Sequence, residues 1–223
     1  MEILRITDRI IFVKFKNLNL MAKTALRIGE HHDHRKDFNN DKPTFRQFLS
    51  WYKNNMEAKP YARYFQGLTL QDMYIRHFIL DYKPKEYLWK EKELIDGLAS
   101  ELGKKNLKRR IKFAVIMCSQ GQRSSVFKHE LAHAMTYIDY RFQKALIKLI
   151  KKVDHSEMVK MRSWLIKKMG YFKEEVDEEI ACRLIEKISM KELFGDSNPK
   201  VSPKVRKSLR NLLDIYLIKH ENV

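Results

Sequence analysis

Along most of the chain apolar residues recur at spacings of three and four, and only 7 glycines and 5 prolines interrupt them, so helix is expected to dominate. Two segments keep a different rhythm. The first 16 residues, through Ile10, Ile11, Phe12 and Val13, read as a strand or a strand pair. Further on, Ile111, Phe113, Val115 and Met117 alternate with Lys112, Ala114, Ile116 and Cys118, a strand with one wholly apolar face and one mostly apolar face. The expected fold class is mainly α with a small β-sheet. Between these segments Pro43 opens a helix carrying Phe45, Phe48, Leu49 and Tyr52. Thr69 and Asp72 outline a capping box before Met73, Ile75, Phe78 and Ile79, and Pro84 opens a helix that stops at Gly103. The polar run from Gly29 to Asp41 reads as a loop. After the second strand Gly121 breaks the pattern, Ser124 or Ser125 caps a long helix, and later helices begin near Asp154, near Tyr171 and at Ser202 and Pro203. A boundary between about 82 and 110 would divide a mostly helical N-terminal region, 1–110, from a second region, 111–223, although one compact domain fits the pattern equally.

The long helix carries the chemistry. It contains His129, Glu130, Leu131, Ala132 and His133, an H-E-x-x-H sequence. Residues four apart on a helix are about 40° apart around it, so both imidazoles project to one side and can hold one Zn²⁺. Glu130 can then reach a water activated by the metal without ligating, and act as general base. With 8 His and 16 Glu in 223 residues, chance yields the motif about 0.02 times per chain. Ile138, Phe142, Ala145 and Leu149 continue one apolar stripe of the same helix, while His129, His133, Thr136, Tyr140 and Ile147 lie opposite. A helix apolar on both sides packs between layers.

A hydrolytic zinc site takes a third protein ligand. Asp139 stands six residues after His133, but Thr136 occupies the place where a glycine would turn the chain back, so Asp139 is expected to point away along a continuing helix. The other source is the acidic cluster Glu174, Glu175, Asp177, Glu178 and Glu179, at the start of a helix whose apolar face is Ala181, Leu184, Ile185 and Ile188. Glu178 sits about 70° from the middle of that face, while Asp177 and Glu174 lie nearer the middle, so helical geometry alone leaves all three open. The remaining acids complement the helix dipole.

His129 to His133 followed by Glu178-x-x-Ala181-x-x-Leu184-Ile185 resembles the gluzincin branch of the zincin metallopeptidases, in particular compact prokaryotic and phage members of the ImmA/IrrE type. The resemblance covers about a third of the chain, from Ile111 to Ile188. It implies a zincin-like core with a strand before the motif helix, binding of a protein or peptide substrate along that strand's edge, Zn²⁺ as cofactor, and His129, His133 and Glu178 as ligands. Glu130 would be the base for peptide hydrolysis. Tyr140, His155 and Tyr171 are candidates by type for an electrophile.

Composition adds a second theme. Lys and Arg number 45 against 28 Asp and Glu, a net +17 with pI near 9.7. The surplus is uneven: Arg141 to Lys173 holds 10 bases and 2 acids, whereas Glu174 to Glu192 holds 7 acids and 3 bases. Such a footprint suits nucleic acid, and supports an alternative reading as a basic nucleic-acid-associated or interaction module that keeps a zincin fold without hydrolysing anything. No DNA-reading motif accompanies it. His31, His32 and His34 read as solvated, and Cys118 and Cys182 as reduced core residues. No apolar run is long enough to span a membrane and the first residues lack a signal layout, so a cytoplasmic location is expected.

Overall fold

The computed structural model describes residues 1–33, 43–55, 67–108 and 111–221. It is mainly helical with one four-stranded sheet, and it divides into two compact units, Met1–Gln122 and Arg123–Val223.

The first unit is built on the sheet. Strand β1 (Glu2–Arg5) turns back antiparallel onto β2 (Ile10–Phe15). β2 runs parallel to β4 (Ala114–Ser119), with Ile10 opposite Ala114, and β4 is antiparallel to β3 (Gly67–Gln71), with Leu70 opposite Val115. The order is therefore β1-β2-β4-β3. A parallel pair needs a long crossover. Here the connection from β2 to β4 contains β3 and helices α1 (Leu18–Asp33), α2 (Phe45–Asn55), α3 (Asp72–Asp81), α4 (Trp89–Leu102) and α5 (Lys104–Lys108). All six residues of β4 are buried, as expected of a strand covered on both faces. Ile11, Val13, Val115 and Met117 join Ile28, Ile75, Phe78, Leu94 and Leu98 in one core.

The position of β4 corrects two expectations. The strand belongs to the N-terminal sheet, which moves the division from about residue 110 to Gln122. It is also an inner strand, hydrogen-bonded on both sides, so it has no free edge to receive a peptide as an added strand. Two local readings change as well. Thr69 lies inside β3 and does not cap α3, and Gly29–Asp33 continue α1. His31 and His32 fall within that helix, and His34 lies outside the described residues.

One buried ion pair ties α1 to α4. Arg27 donates Nε to Glu91 Oε1 at 2.9 Å and a second nitrogen to Oε2, and also reaches the Glu86 carbonyl at 3.0 Å. Its guanidinium lies 4.4 Å from the Tyr82 ring centroid and 5.3 Å from that of Phe78. Glu91 in turn accepts the Leu88 amide at 2.7 Å, closing the start of α4. Both Glu91 carboxylate oxygens and two of the three Arg27 guanidinium nitrogens are thus engaged, the kind of pairing under which buried charge is tolerated.

The second unit is all helical: α6 (Ser124–Ile138), α7 (Tyr140–Ile150), α8 (His155–Trp164), α9 (Val176–Ile185), α10 (Met190–Phe194) and α11 (Pro203–Glu221). A helix begins beside Asp154 as expected, with the Asp154 carboxylate as its cap, whereas Arg123 precedes α6 where a serine was expected, and the helix placed near Tyr171 begins at Val176. Helix α9 packs against α6, α7, α8 and α11, and Val176, Ile180, Ala181, Cys182, Leu184 and Ile185 are all buried. Its end is fixed by Arg206 of α11, which donates to the carbonyls of Leu184, Glu186 and Ile188. Among the described residues no helix is long and apolar enough to cross a membrane.

Removing one partner of the Arg27–Glu91 pair leaves the other charged and buried. Arg27→Met should lower unfolding free energy by about 3–5 kcal/mol in urea titration, and adding Glu91→Met should recover much of that loss.

Candidate metal centre

Helix α6 supplies two imidazoles and α9 the carboxylate between them. His129 and His133 stand one turn apart, their ring centroids 4.9 Å from each other, and their Nε2 atoms approach to 3.2 Å. Glu179 Oε2 lies 3.1 Å from His133 Nε2 and 3.6 Å from His129 Nε2. Three potential ligand atoms thus face one point. Glu179 Oε1 is engaged elsewhere, accepting Arg183 Nε at 2.6 Å.

The outer ring nitrogens also meet carboxylates. His133 Nδ1 is 2.9 Å from Glu178 Oε1. His129 Nδ1 lies 3.1 Å from Glu186 Oε1, although off the axis of a good hydrogen bond. Such partners fix the tautomer of a metal-binding histidine, leaving Nε2 with the lone pair. The electrostatics follow from burial of these groups together. Burial disfavours charge on His129, yet the Glu179 carboxylate reverses this and lifts the imidazole to about 9. On Glu179 burial is likewise overcome, by the two histidines, and its carboxyl is held well below the usual range. Burial pushes the Cys182 thiol up to about 11, partly offset by the adjoining His133.

No family model matches the chain, and no curated protein or solved structure does.

Of the residues named from sequence, His129 and His133 come together. Glu178, expected beside them as a ligand, faces the outer nitrogen of His133, and Glu179 occupies the inner position. Asp177 is exposed and paired bidentately with Arg162 at 2.7 and 2.8 Å, and Glu174 is exposed on the wall of a neighbouring cleft. Glu130 is buried in α6 next to His129. Tyr140 is exposed, with Lys144 over its ring, and His155 is exposed at the cleft; Tyr171 sits against Glu179 and Arg183, its phenol pushed up by burial and then by the Glu179 charge.

Glu179 and Glu186 escaped the helical count. That count took Ala181, Leu184, Ile185 and Ile188 as the only buried face, and so put Glu179 on the opposite side. In fact α9 is surrounded, so its other side is a second interior. A usable signal was present: Arg183 follows Glu179 by four residues, the spacing of a helical ion pair, and it supplies the partner a buried carboxylate requires.

The expected continuous helix breaks at Asp139. The Asp139 amide donates to the Met135 carbonyl, ending α6, while its carboxylate accepts the Arg141 amide at 2.7 Å and the Phe142 amide at 3.2 Å, starting α7. Asp139 is committed to the cap, and its removal from the ligand candidates stands for this reason. Asp139→Ala should cost about 1 kcal/mol in urea unfolding, the usual effect of losing an N-cap.

The cleft, about 450 Å³, lies among α6, α7, α8 and α9. Leu146, Ile147, Ile150 and Met158 form its apolar walls, and Glu178, which also meets His133, lines it together with Ala181.

Proposed function

We propose that this protein is a zinc-dependent metallopeptidase of zincin type, in which His129, His133 and Glu179 hold the metal and Glu130 is the general base. The supporting observation is the spacing of the three donor atoms, 3.1, 3.2 and 3.6 Å. Tetrahedral zinc with bonds of about 2.1 Å sets its ligand atoms about 3.4 Å apart. Two imidazole nitrogens and one carboxylate oxygen also suit zinc better than the oxygen-seeking Mg²⁺ or Ca²⁺. The resemblance to gluzincins points to the same chemistry, with Glu179 in the role it assigned to Glu178.

Zinc held there would supply a Lewis acid and an activated water for attack on a peptide carbonyl. The chain's own groups have separable tasks. Glu178 and Glu186 accept from, or lie beside, the outer nitrogens of the imidazoles and keep both rings turned inward. Arg183 holds one oxygen of Glu179, which leaves the other for the metal. Glu130 takes a proton from the attacking water and delivers it to the departing amine. The Tyr171 phenol stays protonated beside Glu179, and so is a hydrogen-bond donor near the centre.

One observation favours a second reading. Arg141, Lys144, Lys148, Lys151 and Lys152 lie exposed along and just beyond α7 and form no ion pair with a described residue. This face supports nucleic-acid association without hydrolysis, with an affinity that drops steeply as salt rises. Salt-insensitive or absent binding removes that reading.

Zinc content and affinity test the centre directly. The wild-type protein should take up one zinc, Glu179→Gln should lose stoichiometric binding, and Glu178→Gln should weaken it about 10- to 100-fold. Retention of full affinity by Glu179→Gln rejects this ligand set. Glu130→Gln should keep zinc and lose cleavage of a peptide library; persistent cleavage rejects Glu130 as the base.

A further inference from the structure

The two ring nitrogens of His133 face different donors. Nε2 belongs to the cluster of His129 and Glu179. Nδ1 points to Glu178 at 2.9 Å, and the Cys182 thiol stands one helical turn after Glu178 on α9. A ring nitrogen of His133, a carboxylate oxygen of Glu178 and the sulfur of Cys182 all lie within 4.8 Å of one another. We propose that His133, Glu178 and Cys182 form a second metal position, selective for thiophilic ions such as Cd²⁺ or Cu⁺, and that it competes with the position formed by His129, His133 and Glu179.

The selectivity comes from sulfur. A thiolate is a soft ligand and favours soft ions, whereas the other cluster offers only nitrogen and oxygen. For a divalent ion, charge also favours this position over the other. One thiolate and one carboxylate neutralise a divalent ion, while the single carboxylate of Glu179 leaves it with one positive charge. Cys118, the other cysteine, lies in β4 and has no part in the cluster.

The competition comes from tautomerism. A neutral imidazole has one N–H and one ring nitrogen with a free lone pair. With the proton on Nδ1, His133 donates to Glu178 and offers Nε2 to the zinc cluster. With the proton on Nε2, it offers Nδ1 to the second cluster and is lost to the first. When Cd²⁺ binds there, Cys182 gives its proton to solvent, the His133 proton moves from Nδ1 to Nε2, and Glu178 exchanges its hydrogen bond for a metal bond. Access is provided by the cleft, because Glu178 and Ala181 line its wall and the Glu178 side chain is 39 % exposed. The competition rests on the zinc reading above; the thiolate position itself does not.

Cadmium titration followed by ultraviolet thiolate-to-metal charge transfer, with released zinc measured in parallel, tests both parts. Zinc-loaded wild type should develop the band as one zinc leaves per cadmium bound. Cys182→Ser should lack the band, while His129→Ala, which impairs only the first cluster, should keep it. Absence of the band in wild type, or its persistence in Cys182→Ser, overturns the thiolate position. A band that grows while zinc is retained overturns the competition. If Cys182→Ser does not fold, cadmium X-ray absorption of the wild-type protein decides, since a shell without sulfur overturns the proposal. Wild type that takes up no zinc yet shows the band rejects the zinc reading and leaves the thiolate position standing.

Discussion

A carboxylate placed where water is scarce needs partners on every side, and the second unit is organised around that need at Glu179. Its two oxygens are divided, one held by Arg183 and the other facing the inner nitrogens of His129 and His133. A charge this buried is costly unless paired. The pairing therefore helps to set the rotation of α9 against α6, alongside the burial of Ile180 and Leu184 on α9. Because Arg183 occupies one oxygen, Glu179 is predisposed to offer a single atom to a cation.

The break at Asp139 serves the same geometry. Had α6 continued, residues Tyr140 to Ile150 would have extended away along the axis of the histidine helix. The cap ends α6 one and a half turns beyond His133 and lets α7 fold into a separate wall, with Phe142, Leu146 and Ile150 turned inward. The cleft beside Glu178 exists because the helix stops there.

Much of the fold was legible because it depends on local rules. Alternation identified the buried strand at Ala114–Ser119, Pro43 and Pro203 marked helix starts, and Gly103 ended α4 with φ of 82°. What the pattern could not carry was partnership. Nothing in Ile111 to Cys118 says that β2 and β3 flank it, so the strand was assigned to the wrong unit. Similarly, the H-E-x-x-H spacing brought the two imidazoles together because four residues span one turn, whereas choosing among Glu174, Asp177, Glu178 and Glu179 depended on how many sides of α9 are covered. An amphipathic count assumes one covered face. Helix α9 has several, and Glu179 sits on the one the count had treated as outside.

Glu178 and Glu179 are adjacent in sequence yet reach opposite nitrogens of the same ring, and this follows from the 100° between consecutive helical residues. Both carboxylates reach His133, one at each ring nitrogen, because the first turn of α9 carries them both beside that ring. The ring is therefore clasped on both sides, and its proton position decides which carboxylate accepts a hydrogen bond and which faces a lone pair. With Nδ1 protonated, Glu178 is the acceptor and Glu179 is left beside the free nitrogen; reversing the tautomer exchanges the two roles. Under the proposed zinc reading, the choice of third ligand, which sequence geometry left open, becomes a choice of tautomer. It is biased by burial: Glu179 is fully enclosed and already tied to Arg183, whereas Glu178 opens onto the cleft and remains partly hydrated.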